Sequence, residues 1–362
     1  MNRLLSLLLV AALLPATIIS AQSIVTVNNT PGETATYRTL QGAVDSVADG
    51  TIILLQPGPF SYGNVIIRKR VSIMGAGYFL GLNPEPSTQA SLQSSITGWI
   101  AFEAGSNGSQ IMGLSLTGDG TGQTRDRINC SQTGNITVSR CLIYPYNGTS
   151  SILSGYQSGG IRVQQCHIKM PGAWGHGRIL WSRESTGFEF SNSIFENDGY
   201  PTYGFYLPTE HFTNYTASVL FKNNVMFHIN NPGYYPSTNT FINNIIYQVN
   251  NTPVDCITAD RNIGNAQFTA GGGTNMNALI NDVFILNTGG ISYGPDGKYQ
   301  LKAGSPAIGF GQGGIDCGAF GGSNSYVLSG IPVIPNVYSS VVQGIPTTTD
   351  GLRLHLKVKA NQ

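Results

Sequence analysis

The sequence predicts an all-β solenoid, and three observations predict it. The first is a short apolar unit that recurs six times between Ile111 and Tyr247: residues 111–116, 136–143, 161–168, 188–195, 219–226 and 239–246. The last residues of the copies are 27, 25, 27, 31 and 20 apart, a drifting period of the kind that stacked coils produce. The second is charge. Only 10% of the 362 residues are charged, against about 25% in an average soluble domain. Helices need Lys and Glu on their wet sides; coils of short strands do not. The third is the supply of turn formers, 46 glycines among them, with Asn, Ser and Thr plentiful. The formal net charge of +1 provides no global field for nucleic acid.

Residues 1–21 read as a secretory signal. Arg3 supplies the positive start, Leu4 to Leu14 the apolar core, and Ala21 a cleavage position. The run is too short and too early for a membrane span, and nothing after it is membrane-like. The expected location is extracellular, at the cell surface or in the periplasm. Residues 22–322 are expected to form the solenoid, opened by a cap over residues 22–60. In that cap Thr39 is placed to start a helix with Leu40, Ala43, Val44 and Val47 on one side. Asp49-Gly50 turns the chain, Thr51–Gln56 is a strand, and Pro57-Gly58 ends it.

The stretch from Tyr37 through Gly58, followed by Asn64-Val-Ile-Ile-Arg-Lys-Arg-Val-Ser-Ile-Met-Gly, resembles the start of pectin-lyase-like right-handed parallel β-helix proteins. Leu301-Lys-Ala-Gly-Ser-Pro-Ala-Ile-Gly and Gly314-Ile-Asp-Cys-Gly-Ala-Phe-Gly-Gly are similar to the closing coil of secreted bacterial members. The resemblance implies the right-handed parallel β-helix. It does not choose an activity, because this fold carries lyases, hydrolases, epimerases and non-catalytic surface proteins.

Laid coil over coil, Val138, Phe190, Phe221 and Phe241 form one inward column, and Ile143, Ile168, Phe195, Met226 and Ile246 another. Asn192, Asn223 and Asn243 fall at the bend, after Arg140 and Gln165, and are expected to form a structural amide ladder. Two outward columns follow from the two-residue alternation: Thr137, Arg162, Glu189, Leu220, Thr240, and Tyr144, Lys169, Glu196, Phe227, Tyr247. Each sets a base beside an acid, read as exposed cross-coil ion pairs. Five cysteines are present. Cys141 and Cys166 share a place in consecutive coils, where they are either stacked core thiols or a disulfide. Asn281–Ile285 reads as one more strand, and Asp316 as a turn residue. Residues 323–362 form a Pro-punctuated linker and a β tail. In the tail Leu352–Lys359 alternates apolar and basic residues as a half-buried strand would, and 337–342 is its candidate partner.

Chemistry is expected in the long interval between Ile168 and Met226. Trp174, His176, Arg178, Trp181, Tyr200, Tyr203, Tyr206 and His211 are the candidate substrate-binding residues, since aromatic faces suit sugar rings and polar groups suit hydroxyls. Glu184, Glu189, Glu196 and Asp198 are the candidate catalytic acids. Polygalacturonases on this fold carry Gly-His-Gly with Asn-Thr-Asp, Asp-Asp and Arg-Ile-Lys. Gly175-His-Gly177 stands here without the others, so the match is read as chance. No cofactor or metal is expected; calcium enters only if the chain is a lyase, since that ion takes six to eight oxygens. The leading expectation is a monomer whose lateral groove binds a polysaccharide or cell-surface glycan. The alternatives are a lyase or hydrolase using the acids near 184–198, and a structural surface protein or adhesin.

Overall fold

The computed structural model describes residues 22–359 apart from 84–91, 97, 118–125, 145–150, 172–177, 199–204, 207–217, 231–237, 249–252, 287–292 and 348–350. The chain is a right-handed parallel β-helix with an N-terminal capping helix and a C-terminal β appendage. Three faces stack coil on coil. Face one is a ten-stranded sheet of β1 (Ile24–Val27), β2 (Ile52–Leu55), β4 (Ser72–Met74), β7 (Gln110–Met112), β10 (Thr137–Ser139), β13 (Arg162–Gln164), β16 (Phe188–Ser191), β19 (Val219–Lys222), β21 (Thr240–Ile242) and β23 (Thr258–Asp260). Face two holds β5 (Ser95–Ile96), β8 (Ser115–Thr117), β11 (Leu142–Tyr144), β14 (His167–Pro171), β17 (Ile194–Asp198), β20 (Val225–Asn230), β22 (Ile245–Gln248), β24 (Ile263–Gly264) and β25 (Met276–Asn277). Face three holds β3 (Val65–Ile67), β6 (Ile100–Phe102), β9 (Ile128–Ser131), β12 (Ser151–Tyr156), β15 (Arg178–Arg183) and β18 (Phe205–Tyr206). Each apolar repeat of the sequence is a face-one strand, a bend and a face-two strand.

Helix α1 (Leu40–Ser46) closes the first coil. The Thr39 hydroxyl accepts from the Gly42 amide at 3.2 Å, and Leu40, Ala43 and Val44 are buried. That side-chain cap satisfies one of the donors a helix start leaves open.

The inward columns match the expectation residue for residue. Val138 pairs with Val163, then Phe190, Phe221 and Phe241; Ile143 pairs with Ile168, then Phe195, Met226 and Ile246. The Phe190, Phe221 and Phe241 rings stack with centroids 5.4 and 4.8 Å apart, close to the inter-strand spacing of about 4.8 Å. All five cysteines are buried and unbridged, and Cys141 and Cys166 are the stacked thiols.

The amide ladder is one residue later than expected. Asn192, Asn223 and Asn243 have positive φ, as do Gly113, Arg140, Gln165 and Arg261 in the same place. They make the bend between faces one and two, and Asn tolerates that left-handed backbone better than most residues. The next residue turns inward, and there Asn224, Asn244, Asn262 and Asn275 hydrogen-bond upward in sequence. Asn244 Oδ1 accepts from the Asn224 amide N–H (2.9 Å) and Nδ2 (3.0 Å), while Asn244 Nδ2 donates to the Phe221 carbonyl and Asn262 Oδ1. Asn262 repeats the pattern toward Asn275.

The bend column instead receives the C-terminal segment. The segment does not add a closing coil; after α2 (Ile280–Val283), a short helix where a strand was expected, it runs back along the solenoid. Asn243 Oδ1 accepts from the Gln312 amide, Asn192 Nδ2 donates to the Ala319 and Gly321 carbonyls, Gln165 Nε2 to Ser325, and Arg140 to Ile331. Asp316 is a turn residue, its Oδ1 accepting from the Gly309 amide. This strap, described over residues 278–286 and 293–331, covers the outside of face two and builds a second apolar core there, with Phe227, Tyr247, Phe284, Tyr299 and Tyr326. At the far end β26 (Asn336–Thr347) and β27 (Gly351–Lys359) form an antiparallel hairpin that includes the expected 337–342 pairing. The half-buried strand is corrected: Leu354, Leu356 and Val358 are about as open as His355 and Lys357, because no other described strand pairs with the hairpin.

Candidate functional site

The register of face three fixes which side chains look out. Ser154 pairs with Trp181, and Tyr156 with Ser131 on one side and Arg183 on the other. Trp181 and Arg183, two residues apart on β15, share its outward side. Inside the same pair of strands, Gly155 leaves room for Phe188: a Cβ there would lie 2.7 Å from the Phe188 ring. Trp181 and Tyr156 are half-buried and Arg183 is exposed. The Arg183 guanidinium lies 5.5 Å from the centre of the Tyr156 ring, a cation–π distance. One coil back, Asn129 Nδ2 donates to Ser154 Oγ at 2.9 Å.

The bend from face three to face one continues this surface. Gln132, Gln157 and Glu184 occupy the same place in three coils, each at positive φ, and all are exposed. Gln132 Nε2 donates to Gln157 Oε1 at 3.2 Å, and Gln157 Nε2 to Glu184 Oε2 at 2.7 Å. Glu184 also stands 3.5 Å from Arg183. Beneath, the hydroxyls of Ser158 and Ser185 accept from the backbone, Ser158 from Thr133 and Ser185 from Ser158, while the Thr133 hydroxyl donates to Asn107 Oδ1. The outcome is a strip of half-open aromatic rings, amides and one ion pair, rigidly spaced by the coil repeat.

Of the residues singled out in the sequence, the structure brings Trp181, Arg178, Glu184 and Tyr206 to face three, with Arg178 paired in register to Tyr206. Trp174, His176, Tyr200, Tyr203 and His211 lie outside the described residues. The other acids are elsewhere. Glu189 looks out of face one, 3.7 Å from Arg162, the exposed ion pair expected there. Asp198 ends β17 on face two, paired in register with Pro171. Glu196 has the expected neighbour Lys169, 3.4 Å away, but is not in an open groove. The strap covers it: the Tyr299 hydroxyl donates to Oε2 at 2.7 Å, Lys298 Nζ lies 3.1 Å away, and His167 Nε2 lies 2.9 Å from Oε1. Burial would raise the pKa of Glu196. The hydrogen bond and charge of His167, the Lys298 ammonium and the Tyr299 hydroxyl outweigh it and hold the carboxyl well below the usual carboxylate range. Glu184, Glu189 and Glu196 therefore occupy a bend and two different faces and do not meet around one reacting bond.

Sequence reasoning missed Tyr156, Gln132, Gln157 and Asn129. The signal was available in the period: Ser131-Gln-Thr133, Tyr156-Gln-Ser158 and Arg183-Glu-Ser185 follow one another at 25 and 27 residues. Among the described residues no group of three or more His, Cys, Asp or Glu side chains is arranged to hold a metal, and no helix is long and apolar enough to cross a membrane.

No family model matches the chain, and no curated protein matches it. Among solved structures it is similar to the pectin methylesterase of Aspergillus niger, at 17% identity over 61% of this chain and 84% of that one, with a TM-score of 0.39. It is also similar to the pectate lyase Pel9A, at 14% identity over 83% and 97% of the two chains, TM-score 0.39. A third is the alginate lyase of Paenibacillus sp. str. FPU-7, at 13% identity over 66% and 95%, TM-score 0.33. The assignment of fold rests on this chain's own parallel registers.

Proposed function

We propose that the chain is a polysaccharide-binding β-helix whose contact surface is the outward side of face three around β12 and β15. The carrying observation is the half-open Trp181 sharing one side with Arg183 and Tyr156, bordered by the Gln132–Gln157–Glu184 row. Aromatic faces stack on the C–H faces of sugar rings, and side-chain amides hydrogen-bond hydroxyls. A surface repeating with every coil suits a ligand that itself repeats. Binding is favoured over hydrolysis because glycoside cleavage requires two carboxyl groups flanking one bond, and the three described acids are held apart by the fold. The reading takes residues 1–21 as a secretory leader, so the ligand is met outside the cytoplasm; the mass of the mature protein tests that part by starting at Gln22.

The test is affinity electrophoresis of the full mature chain through a panel of soluble polysaccharides, with reducing ends and unsaturated uronide product measured on the same samples. Retardation without product supports the reading. Product formation would replace it with a lyase or hydrolase, and absence of both on every polymer would favour a structural role.

A further inference from the structure

Resting on that reading, we infer that the polymer the strip takes is uncharged, a neutral glycan and not a uronic-acid chain. The argument is the charge inventory along the strip. The column of Tyr156 and Arg183 continues through Ser131 to Glu103 and Arg68 by register, since Phe102 pairs with Cys130 and Ile67 with Phe102. Arg68 Nε donates to Glu103 Oε2 at 2.8 Å, and Arg183 stands against Glu184 at 3.5 Å. Around the bend, Arg162 faces Glu189 at 3.7 Å. Among the described side chains, each of these three cations thus carries an acid beside it, and their charges cancel in pairs. The other described groups here include the indole of Trp181, the ring of Tyr156, the amides of Asn129, Gln132 and Gln157, and the Ser131 hydroxyl, while the Arg127 guanidinium is buried and donates to the Tyr144 and Gly98 carbonyls.

A uronate chain brings one carboxylate per sugar. Binding it desolvates a row of negative charges, which is favourable only against cations free to receive them. Here it would meet Glu184 and Glu103 on the way to Arg183 and Arg68, and like charge placed opposite like charge is repulsive. A neutral chain loses nothing to those acids. Paired charges also accept and donate to hydroxyls as amides do, so an ion pair serves a neutral sugar without excluding it.

The experiment compares retention of the mature chain by neutral polymers (a mixed-linkage β-glucan, a galactomannan and a xylan without uronic side groups) with retention by polygalacturonate and alginate. Each is run at about 50 mM and about 500 mM NaCl, where screening differs by roughly threefold in Debye length. The expected result is retention by at least one neutral polymer, changing less than about twofold between the two salts, with no retention by the polyanions. The variant Glu184→Gln removes the acid beside Arg183, and it is expected to gain measurable retention on polygalacturonate at the lower salt. Retention by uronates alone, weakened by salt, would overturn the inference and leave the binding reading standing. Retention by neither class would overturn both. Circular dichroism of the variant guards against misfolding, and the wild-type comparison decides the question without it.

Discussion

Replacing Glu196 should loosen the strap and spare the solenoid. The carboxylate is buried, takes hydrogen bonds from Tyr299 and His167, and lies within 3.4 Å of Lys169 and 3.1 Å of Lys298. Two of those partners, Lys298 and Tyr299, belong to the strap; the other two belong to β14. Removing one member of a buried charged cluster strands the others, at about 3–5 kcal/mol, which is the expectation for Glu196→Ala. Glu196→Gln keeps an acceptor but loses the charge, so about 1.5–3 kcal/mol is expected, the range of one hydrogen bond to an ionised group. The assay is urea unfolding followed by circular dichroism, paired with limited proteolysis mapped by mass spectrometry. Cleavage should appear first within residues 278–331. The pH dependence has a definite sign. A carboxyl more acidic in the folded chain than in the unfolded one binds fewer protons when folded, so its stabilisation is complete above the ordinary glutamate pKa near about 4.3 and shrinks as pH falls toward the depressed folded value. The wild type should therefore lose stability on acidification below that point faster than Glu196→Gln. A variant within about 0.5 kcal/mol of wild type, with unchanged pH dependence and unchanged cleavage, would refute the claim that Glu196 fastens the strap.

The ladder can be tested by contrast: Asn244→Ala should cost about 3 kcal/mol, because the Asn224 amide N–H and the Phe221 carbonyl lose a partner in a buried site. Asn223→Gly at the neighbouring bend should lie within about 0.5 kcal/mol of wild type or above it, since φ there is 54° and suits glycine. Urea midpoints measure both, and equal losses would contradict the one-residue shift. Alkylation in denaturant without reductant should modify all five cysteines; recovery of only three would show a bridge. A chain ending at Pro335 should melt within about 2 °C of the full chain, because the hairpin strands pair with each other and with no other described strand.

Much of the fold was legible because a solenoid writes its period into the chain. Inward columns came out residue by residue, since Val138, Phe190, Phe221 and Phe241 alternate with polar neighbours and the alternation has only one apolar phase. The ladder was misplaced for a local reason: Asn223-Asn224 and Asn243-Asn244 are identical neighbours, and only the backbone conformation separates the left-handed bend residue from the inward one. The strap was invisible as a cover. Nothing in Asp296-Gly-Lys-Tyr299 announces that it folds back over Glu196, so an outward residue was equated with an exposed one. Three of the acids proved distant in space because of the coil itself: Glu184, Glu189 and Glu196 follow one another over 12 residues, which on this coil is enough to turn a bend and cross from one face to another. Half of the proposed strip is hidden in the sequence because unusual composition marks only the long interval after Ile168, while Tyr156 and Gln157 sit in an ordinary coil and are set apart only by what stacks on them.

The central claim is that the outward side of β15 holds the glycan, and Trp181 tests it most directly. The measurement is the dissociation constant of wild type and Trp181→Ala for the best soluble polymer of the panel, with circular dichroism to establish that the fold is kept. Loss of a stacked indole should weaken binding about tenfold, the equivalent of about 1.4 kcal/mol. An unchanged constant in a folded variant would place the ligand somewhere else and contradict the account.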